Sequence, residues 1–468
     1  MRNKVTILGA GPAGLWTALS LQEKYRDIEI TVIEEEDFPG GITGSFQYKD
    51  MIFDYGSHRL HPATDPDLLK KIEDMLDGDL LKRPRNGRIW LEGRFISFPL
   101  KPADLLFHLP FSFSSGVVLD SLGSLFKREK EGITFEDTLL AGLGKTISNR
   151  FYFPYARKLW GLPQAELSPV QARKRIASGS IGKMVRKAFS SLKGASGDTG
   201  IFYYPRGGFG QIAQVTASII KKHGAGIRYN TKAISVIPPA NEKKGLIETE
   251  DGGKIETDFL FSTIPVTDFV RILEPAAPPS VTEAADGLSF RSMVFCFLEV
   301  KGSQYTSYDA HYFPGADTCF SRLSEPKNYS LAEAPTDRTG LCFEIPCSGK
   351  DEIWKLSNDK LLELVIGDLK KTDLPKPEIA GFTIRRKKNV YPVYDHDFAD
   401  RLNIIEGYLG TLNHTVSLGR QGLFVHDNTH HTIEMGVAAA GCLSSDLHWD
   451  RKKWADYREL FDSHVVVD

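Results

Sequence analysis

The sequence of 468 residues lacks an excess of charge of either sign, since 58 lysines and arginines balance 60 aspartates and glutamates. Such a balance gives no basic field over the surface, so nucleic acid is not an expected partner. The sequence also lacks a run of about 20 uninterrupted apolar residues, the length needed for a membrane-spanning helix. Its most apolar stretch, residues 105–126, is interrupted by His108, Pro110, several serines and Asp120. We interpret this stretch as a helix pair, with a monotopic membrane contact as the alternative.

Cysteine is scarce: there are five, an odd number, with no Cys-x-x-Cys pair and no zinc-like spacing. Buried free thiols in a reducing compartment are the simplest interpretation, and no metal site is predicted. The first apolar run begins at once, which leaves no room for a signal peptide, and we expect a cytoplasmic protein. A chain of this length exceeds what one hydrophobic core usually supports, so two domains are expected.

The first 34 residues have the pattern of a strand, a helix and a second strand. The apolar run 5–8 predicts a buried parallel strand, helical spacing follows, and the apolar run 28–33 predicts the next strand. Between the first strand and the helix stand Gly9, Gly11 and Gly14, in the spacing Gly-x-Gly-x-x-Gly. A β-α-β unit with these glycines is typical of dinucleotide binding.

Each residue of this motif has a physical task. Gly9 permits the tight turn, Gly11 lets the backbone approach a pyrophosphate, and Gly14 lets helix and strand pack closely. The N-terminus of the helix offers free N–H groups and a partial positive charge to the phosphates. Glu34, after the second strand, can accept hydrogen bonds from a ribose diol. An acid at this position favours FAD or NAD over NADP.

The rest of the chain alternates between helical and strand-like stretches. We predict a hairpin over 88–98, a mostly helical stretch from 102 to about 193, and an antiparallel sheet that includes 291–300 and 340–346. Residues 416–425 predict a further strand, and residues 432–447 predict the final core helix. A loop with two histidines and an arginine ends the strand-like stretch 53–61, and we expect this loop near the cofactor.

Taken together, these motifs resemble the FAD-dependent amine-oxidase and protoporphyrinogen-oxidase superfamily, and most of all its UDP-galactopyranose mutase-like branch. The resemblance covers nearly the whole chain. It rests on GAGPAGL at 9–15, Glu34, Gly40-Gly41, DYGSHRLHP at 54–62, PYARKLWG at 154–161, YPRGGFGQI at 204–212, FSTIP at 261–265, Arg322, YPVYD at 391–395, GRQGLF at 419–424 and NTHHTIEMG at 428–436.

The resemblance implies an α/β fold and FAD as the cofactor. A Rossmann-type FAD-binding domain with a parallel sheet would carry a mixed substrate domain of helices and an antiparallel sheet. We expect the FAD-binding domain to be discontinuous, over 1–95, 200–285 and 405–468. The substrate-binding domain would take 96–199 and 286–404.

The matched positions also imply roles toward the flavin. The Gly40-Gly41 turn would lie beside the pyrophosphate, the histidine loop would flank the isoalloxazine ring, and the N-terminus of the last helix would stabilise negative charge at the flavin N1/O2 edge. The expected cofactor-binding residues are Gly9, Gly11, Pro12, Ala13, Gly14, Glu34, Glu35, Gly40, Gly41, His58, Arg59, Ala233, Gly419, Arg420, His431, Thr432 and Ile433.

The expected catalytic residues are His61, Arg175 and Arg322. His61 is a candidate neighbour of the flavin, and guanidinium groups bind phosphate oxygens in a bidentate manner. Each arginine has a simpler interpretation: Arg175 belongs to a solvated face, or Arg322 makes an ion pair between domains.

Trp160, Tyr391 and Tyr394 are the expected substrate-binding residues, since the resemblance implies that they line the substrate cleft. Tyrosine hydroxyls add oriented donors toward a diphosphate. The simpler interpretation is that Trp160 belongs to the core and that Tyr391 is a packing aromatic residue.

Three positions depart from the family pattern. Ile42 follows the glycine doublet where an arginine is usual. The stretch before the last helix is Asn428-Thr-His430 in place of Asn-Met-Asp. The mutases carry a second arginine where this chain has Ile176-Ala-Ser-Gly179. The last departure concerns the mutase reaction more than the flavin.

The resemblance thus implies a flavoenzyme that acts on a nucleotide-activated sugar in polysaccharide or glycoconjugate synthesis, as a flavin-dependent mutase whose reduced N5 does the chemistry. On the same fold, the alternative is a net oxidase or dehydrogenase that passes a hydride to FAD, as amine and protoporphyrinogen oxidases do. A flavin-binding module without turnover is the third hypothesis. The expected arginines and tyrosines favour an anionic small-molecule substrate, and the oligomeric state is not predicted.

Overall fold

The computed structural model describes residues 2–99, 104–124, 134–175, 200–240 and 243–466; the side chains of residues 105, 106, 123, 124 and 175 lie outside this description. The strands are β1 (Asn3–Leu8), β2 (Ile28–Ile33), β3 (Ser45–Tyr48), β4 (Met51–Asp54), β5 (Leu80–Pro84), β6 (Gly87–Leu91), β7 (Arg94–Phe98), β8 (Ile201–Pro205), β9 (Gly226–Arg228), β10 (Ala233–Ile237), β11 (Gly245–Thr249), β12 (Lys254–Thr257), β13 (Phe259–Ser262), β14 (Ser289–Lys301), β15 (Ala310–Tyr312), β16 (Arg322–Ser324), β17 (Arg338–Cys347), β18 (Ile379–Val393) and β19 (Thr415–Ser417).

The helices are α1 (Pro12–Lys24), α2 (Pro66–Met75), α3 (Phe111–Ser124), α4 (Phe135–Ile147), α5 (Phe153–Trp160), α6 (Pro169–Arg175), α7 (Gln211–Lys222), α8 (Val266–Arg271), α9 (Pro279–Gly287), α10 (Pro326–Ser330), α11 (Glu352–Lys355), α12 (Asn358–Leu369), α13 (Phe398–Leu409), α14 (Gly419–Gly422), α15 (Thr429–Cys442) and α16 (Arg451–Asp462). Shorter 3-10 or π-helical turns lie at Gly41–Thr43, Asp104–His108, Ser148–Tyr152 and Gln164–Glu166.

A five-stranded parallel sheet, in the order β19-β13-β1-β2-β9, forms the nucleotide-binding half. β1 lies at its centre, with Val5 opposite Phe259 on one neighbour and opposite Ile30 on the other. Apolar side chains of β1, α1, α7 and α15 share one core. A central parallel strand is covered by other elements on both faces, which explains why all of residues 5–8 are buried, including Thr6, and why three of the four are apolar. The predicted Rossmann-type sheet is confirmed.

The second sheet has seven strands in the order β18-β14-β17-β16-β15-β6-β7 and is antiparallel except where β15 meets β6. Its long central pair joins β14 to β17, with Ser292 opposite Cys347 and Lys301 opposite Arg338. The predicted hairpin 88–98 is present as β6 and β7, and it forms the edge of this second sheet. We therefore propose that the substrate-binding part begins before Gly87 rather than after residue 95.

A separate antiparallel ribbon of two strands joins distant parts of the chain. β5 pairs with β8, so that Leu80 lies opposite Pro205 and Pro84 lies opposite Ile201. The ribbon brings together the two ends of the long segment that contains β6, β7 and α3 to α6. That segment is mostly helical in its described residues, and one apolar core joins its helices to the hairpin.

In place of the helix pair expected over 105–126, the described residues of this stretch form the π-helical turn Asp104–His108 and the single long helix α3. The partner of α3 is α4, which lies beyond this stretch, and Gly116 lies close against the side chain of Thr146. The prediction of helix beyond Arg175 falls on residues 176–193, which lie outside the described residues. Among the described residues, no helix is both long enough and apolar enough to cross a membrane.

The last 90 residues differ from the predicted elements. The strand expected at 416–425 ends at Ser417, and Gly419 with a φ of +79° opens the short helix α14. The helix expected over 432–447 spans Thr429–Cys442 instead, because Asn428 caps it earlier. Two elements were not predicted: α16 and the 15-residue strand β18. β18 contains a run of cations and pairs with β14 only, and charged side chains are common on such an edge strand.

Candidate active site

A cavity of about 430 Å³ lies where the two sheets and the helical segment meet. One wall consists of the glycine turns that follow β1 and β2. The histidine loop after β4 forms a second wall, and a third contains aromatic residues of α5 and of the turn that precedes it. The cavity therefore collects residues from most of the predicted motifs, although neither Glu34 nor the motif at 204–212 lines it.

The glycine turns form a cradle that presents only backbone atoms, because glycine has no side chain. Gly9 has a φ of +97° and its N–H donates to the Ile33 carbonyl at 2.8 Å. A Cβ on Gly14 would overlap the Gly9 carbonyl oxygen, whereas a Cβ on Gly11 would meet no atom within 4 Å. Gly41, with a φ of +56°, faces Gly11 across the gap. The space beside Gly11 is thus open to the cavity, and the N-terminus of α1 has no side-chain cap.

Glu34 is buried at the end of β2. Its Oε2 accepts a hydrogen bond from the Ala10 N–H at 2.7 Å, and its Oε1 accepts one from the Glu36 N–H at 3.1 Å. Burial raises the pKa of its carboxyl, against the effect of these two bonds. A carboxylate has about four acceptor positions, so Glu34 can hold the first glycine turn and still accept from a ribose. The expected neighbours Glu35 and Ala233 do not line the cavity; Glu35 is exposed and Ala233 begins β10.

The histidine loop places its members differently. His58 is stacked on Phe209 with ring centroids 5.5 Å apart, and its Nε2 lies 2.9 Å from the Tyr55 carbonyl. His61 is stacked on His430 at 5.7 Å. Both His58 and His61 line the cavity, as does Arg59.

Arg59 is held from behind by aromatic residues. Its guanidinium donates to the hydroxyls of Tyr312 and Tyr329 at 3.4 and 3.2 Å and lies over the ring of Phe202. Its carboxylate partner, Asp309, is 3.8 Å away. This environment fixes the orientation of the Arg59 side chain at the cavity wall.

Burial keeps several histidines neutral. It lowers the pKa of His58 to about 4, and that of His311 and of His430 to about 3, from the ordinary 6.5. Burial has the opposite effect on a carboxyl, and it raises the pKa of Asp54 to about 6. Between about pH 6.5 and 4 the unfolded chain binds more protons at these histidines than the folded chain does, so the histidines lower the free energy of unfolding as pH falls. Asp54 acts the other way: its contribution is fully present below its unfolded pKa of 3.8 and is lost as pH rises through 6.

We therefore expect the His58→Asn variant to lose stability less steeply in acid than the wild type. Each neutral buried histidine contributes a slope of ~1.4 kcal/mol per pH unit between its two pKa values, and the variant lacks one of them. Urea unfolding of both holoproteins at intervals from pH 4.5 to 7 measures the two slopes. His223→Asn, at the exposed end of α7, is the matched control and should keep the wild-type slope. Parallel curves for His58→Asn and the wild type would contradict the expectation.

Arg322 is locked into a buried ion pair. Its Nε and Nη2 donate to the two carboxylate oxygens of Glu344, both at 2.7 Å. The same carboxylate accepts from the Ser57 N–H at 2.8 Å and lies against Gly56, so it also holds the histidine loop. Arg322 was expected to contact a diphosphate with its whole fork. In the structure two of its three nitrogens serve Glu344, and Nη1 is the nitrogen left for a ligand.

The other expected substrate residues divide into two groups. Trp160 and Tyr391 line the cavity, and Trp160 also packs edge-on against Phe135 at 5.6 Å. Tyr394 does not line the cavity: its hydroxyl donates to the Phe424 carbonyl at 2.9 Å and its ring is stacked on Phe398 at 4.0 Å. We therefore correct its expected role from substrate binding to packing. Arg175 ends α6, and its side chain lies outside the described residues.

The helix α15 begins at the cavity, and its first residues differ in their surroundings. Thr432 lines the cavity together with Asn428, Thr429 and the α14 residues Gly419 and Arg420. The expected Ile433 instead belongs to the core of the nucleotide-binding half. The first turn of the helix therefore lies at the cavity, and the helix starts three residues earlier than expected.

The expected flavin neighbour His431 takes part in a buried cluster with Asp427 and His464. The Asp427 Oδ1 lies 3.2 Å from the His431 Nδ1 and 3.3 Å from the His464 Nδ1. Burial alone would raise the pKa of Asp427, but the two imidazoles lower it overall. Val466, which follows this cluster in the chain, also lines the cavity. Its backbone N–H donates to the Lys174 carbonyl at 2.8 Å, which fixes it against α6.

Sequence reasoning missed several residues of the walls. Arg85 lies between β5 and β6, and nothing in its sequence context indicated a site. Tyr155 belongs to the PYARKLWG motif, which was recognised without a role for this residue. Phe151, Tyr152 and Tyr312 also line the cavity. The position of Phe151 and Tyr152 just before α5 was a usable signal, since the neighbouring Trp160 had been chosen.

Comparisons with known proteins agree with this architecture. The sequence profile described as flavin containing amine oxidoreductase matches residues 12–402. The fold is similar to that of a reduced UDP-galactopyranose mutase, with a TM-score of 0.80 and 21% identity over 94% of this chain and 93% of that chain. It is also similar to a protein of Exiguobacterium sp. 255-15 provisionally described as a protoporphyrinogen oxidase, with a TM-score of 0.72 and 17% identity over 98% and 99%. For a putrescine oxidase bound to putrescine, the TM-score is 0.62 at 14% identity over 94% and 98%.

At such low identities the solved structures establish the fold alone. The sequence profile establishes the family, because it matches most of the chain. The residues present suit FAD: the glycine cradle has an open space where a Cβ would otherwise stand, the N-terminus of α1 is uncapped, and a carboxylate, Glu34, holds the first glycine turn through the Ala10 N–H. This chain therefore belongs to the flavin containing amine oxidoreductase family, with FAD as its cofactor.

Proposed function

We propose that this flavoenzyme binds the diphosphate of a nucleotide-activated sugar in the cavity and isomerises the sugar without net redox change. The observation that carries the proposal is the charge of the walls, to which Arg59, Arg85, Arg322 and Arg420 contribute. Guanidinium groups are the side chains best suited to diphosphate oxygens. A substrate of negative charge is the natural partner of such a cavity.

Among the described residues, two acidic ones line the walls, and each has a partner of its own, so they do not neutralise all of the positive charge. Glu344 is consumed by its bidentate pair with Arg322, and Asp427 is paired with His431 and His464. The remaining balance among the lining residues is positive. An amine substrate, which carries positive charge, would meet repulsion here unless an aromatic face or a carboxylate compensated it.

Aromatic side chains complete the complementarity to a sugar nucleotide. Tyr152, Tyr155, Tyr312 and Tyr391 bring hydroxyl groups to the cavity, and Trp160 brings a broad apolar face. Hydroxyls can orient a sugar and its phosphates, and aromatic faces can stack on a base. The solved UDP-galactopyranose mutase has the same fold, which supports this class of substrate.

Bound FAD, when reduced, supplies the nucleophilic N5 that such an isomerisation requires. The residues of this chain hold the diphosphate, exclude water from the cavity and fix the sugar in one orientation. His58, which burial keeps neutral, lies in this wall and does not add a charge of its own.

A second candidate is net oxidation of an apolar or amine substrate. The aromatic wall formed by Phe151, Tyr152, Tyr155 and Trp160 favours it, since such a wall can enclose an uncharged substrate. The family profile is named for amine oxidoreductases. The positive balance of the lining residues argues against a cation, so this candidate ranks second.

Calorimetric titration of UDP and of several UDP-sugars into the holoprotein, first oxidised and then reduced with dithionite, tests the proposal. We expect saturable binding that is tighter in the reduced state, followed by conversion of one UDP-sugar in a redox-neutral assay. Absence of binding in both states would overturn the proposal and direct attention to oxygen consumption with amines and porphyrinogens.

The Arg85→Ala variant sharpens this test because Arg85 lines the cavity and was not among the residues expected from the sequence. Loss of one charge-assisted contact should weaken UDP binding by ~1.5–3 kcal/mol, with FAD content unchanged. Arg271→Ala is the matched control, since Arg271 is a half-exposed arginine paired with Asp268 and Asp286 away from the cavity. Equal UDP affinity of the wild type and the Arg85→Ala variant would remove Arg85 from the site.

A further inference from the structure

The helix α3 has an apolar face that no described element covers. Phe107 and Phe111 are 78% and 86% exposed, and along the same helix face Val118, Leu119 and Leu122 are 46%, 67% and 54% exposed. Residues 111, 118, 119 and 122 recur at the spacing of one helix face, and Phe107 precedes that face by one turn. We call these five residues the apolar stripe.

The stripe is not a misplaced core face, because α3 has a second apolar face that is buried. Phe113 and Val117 pack into the core of the helical segment, and Gly116 fits against Thr146 of α4. The helix is therefore apolar on both sides, and the outer side contains its most exposed aromatic residues. A contiguous exposed patch of this kind marks an interaction surface.

The charges around the stripe favour one kind of partner at its phenylalanine end. Arg94 is exposed there, and its Nη1 donates to the His108 carbonyl at 3.1 Å. The nearby acids are turned inward: Asp104 accepts from the Ser97 N–H at 2.8 Å and Glu92 is paired with Arg150.

Further acids lie along the rest of the stripe. Asp120 accepts a hydrogen bond from the Thr146 N–H at 2.6 Å and is only half-exposed. Glu136 and Asp137 lie at the N-terminus of α4, on the opposite end of the helix pair. The solvent-facing charge beside the two phenylalanines is therefore cationic.

We propose that the Phe107–Phe111 end of the apolar stripe docks onto an anionic phospholipid surface. Aromatic side chains that insert between lipids, with cations beside them at the level of the headgroups, are the two elements of a peripheral membrane contact. The stripe has five residues, whereas a stable protein interface takes about 20–30 residues a side. These features favour a lipid surface over a second copy of the chain.

The docking surface lies one layer of residues from the cavity. Arg150 touches Ser112 and lies over the ring of Phe113, and the next two residues, Phe151 and Tyr152, line the cavity. The β6–β7 hairpin makes a similar connection, since Phe98 lines the cavity and Arg94 contacts His108. A docked molecule would hold the cavity close to the membrane surface.

Flotation of the FAD-loaded protein with vesicles of phosphatidylcholine containing 30% phosphatidylglycerol, and with pure phosphatidylcholine vesicles, tests the proposal. We expect the wild type to float with the anionic vesicles and the Phe107→Ser/Phe111→Ser variant to lose at least tenfold in partition coefficient. Arg94→Glu should weaken binding to anionic vesicles only. Ile234→Ser/Ile237→Ser, which removes two exposed apolar residues of β10, is the matched control and should float like the wild type.

Three outcomes would overturn the proposal. The wild type would fail to float with anionic vesicles, or the phenylalanine variant would float as well as the wild type. The third outcome is a vesicle-free wild-type dimer, measured by light scattering, that the phenylalanine variant converts to a monomer. It would assign the stripe to a second copy of the chain. FAD content, measured by absorbance, confirms in each case that the variants are folded.

Discussion

Replacing Gly11 with alanine is expected to give a folded protein that has lost most of its FAD. Gly11 has a φ of −71° and a ψ of 177°, a conformation open to any residue, and an added Cβ meets no protein atom within 4 Å. The added methyl group would instead occupy the space beside the glycine turn of Gly41, where the pyrophosphate is expected. We expect FAD affinity to fall at least about tenfold, or ~1.4 kcal/mol.

Gly14→Ala provides the comparison, because its Cβ would overlap the Gly9 carbonyl oxygen. The helix α1 would have to move away from β1, and overpacking of this kind costs about 3 kcal/mol or more when backbone must shift. FAD absorbance after gel filtration and urea unfolding of both apoproteins separate the two effects. Gly11→Ala should keep wild-type stability and Gly14→Ala should not. An FAD-saturated Gly11→Ala protein would show that the pyrophosphate does not pass Gly11.

The second large effect concerns the ion pair of Arg322. Arg322→Ala should destabilise the protein by about 3–5 kcal/mol, since it leaves the Glu344 carboxylate buried without its cation. The histidine loop should loosen as well, because Glu344 holds the Ser57 N–H. This cost arises in the protein itself and is present without any substrate.

The double variant Arg322→Ala/Glu344→Ala distinguishes structure from binding. Removal of both charges should restore part of the stability, and the coupling between the two changes is measured by a double-mutant cycle in urea. If Arg322 also contacts a substrate through Nη1, the restored double variant will still bind UDP weakly. Additive single effects would contradict the expected coupling, and wild-type UDP affinity in the double variant would exclude the contact.

The nucleotide-binding half could be predicted from sequence because burial or the local backbone conformation dictates the residue type at its key positions. A central parallel strand must be apolar on both faces, a tight turn must contain glycine at φ of +97°, and these demands are visible at Gly9 and in the run 5–8. The order of the motifs along the chain added the family resemblance, and with it FAD. The hairpin over 88–98 could also be predicted, because its turn contains Gly93, whose φ of +74° favours glycine.

The substrate side was predicted less well because its chemistry depends on pairs that are distant in sequence. The sequence around Arg322 has no feature that indicates an ion pair. Only the pairing of β16 with β17 places Glu344 opposite Arg322. Tyr394 belongs to the same YPVYD motif as Tyr391, but its side chain points into the core. Arg85 became a wall residue only because the β5–β8 ribbon carries it there.

The β5–β8 ribbon has a consequence for how this family can change. The ends of a segment of more than a hundred residues, from Arg85 to Gly200, lie beside each other, joined directly by the hydrogen bond from the Arg85 N–H to the Gly200 carbonyl at 2.6 Å. The entropy cost of closing such a segment grows only slowly with its length. Residues can thus be gained or lost between these two ends with little effect on the parallel sheet, so the segment that contains α3 to α6 is free to diversify while the glycine turns keep their place.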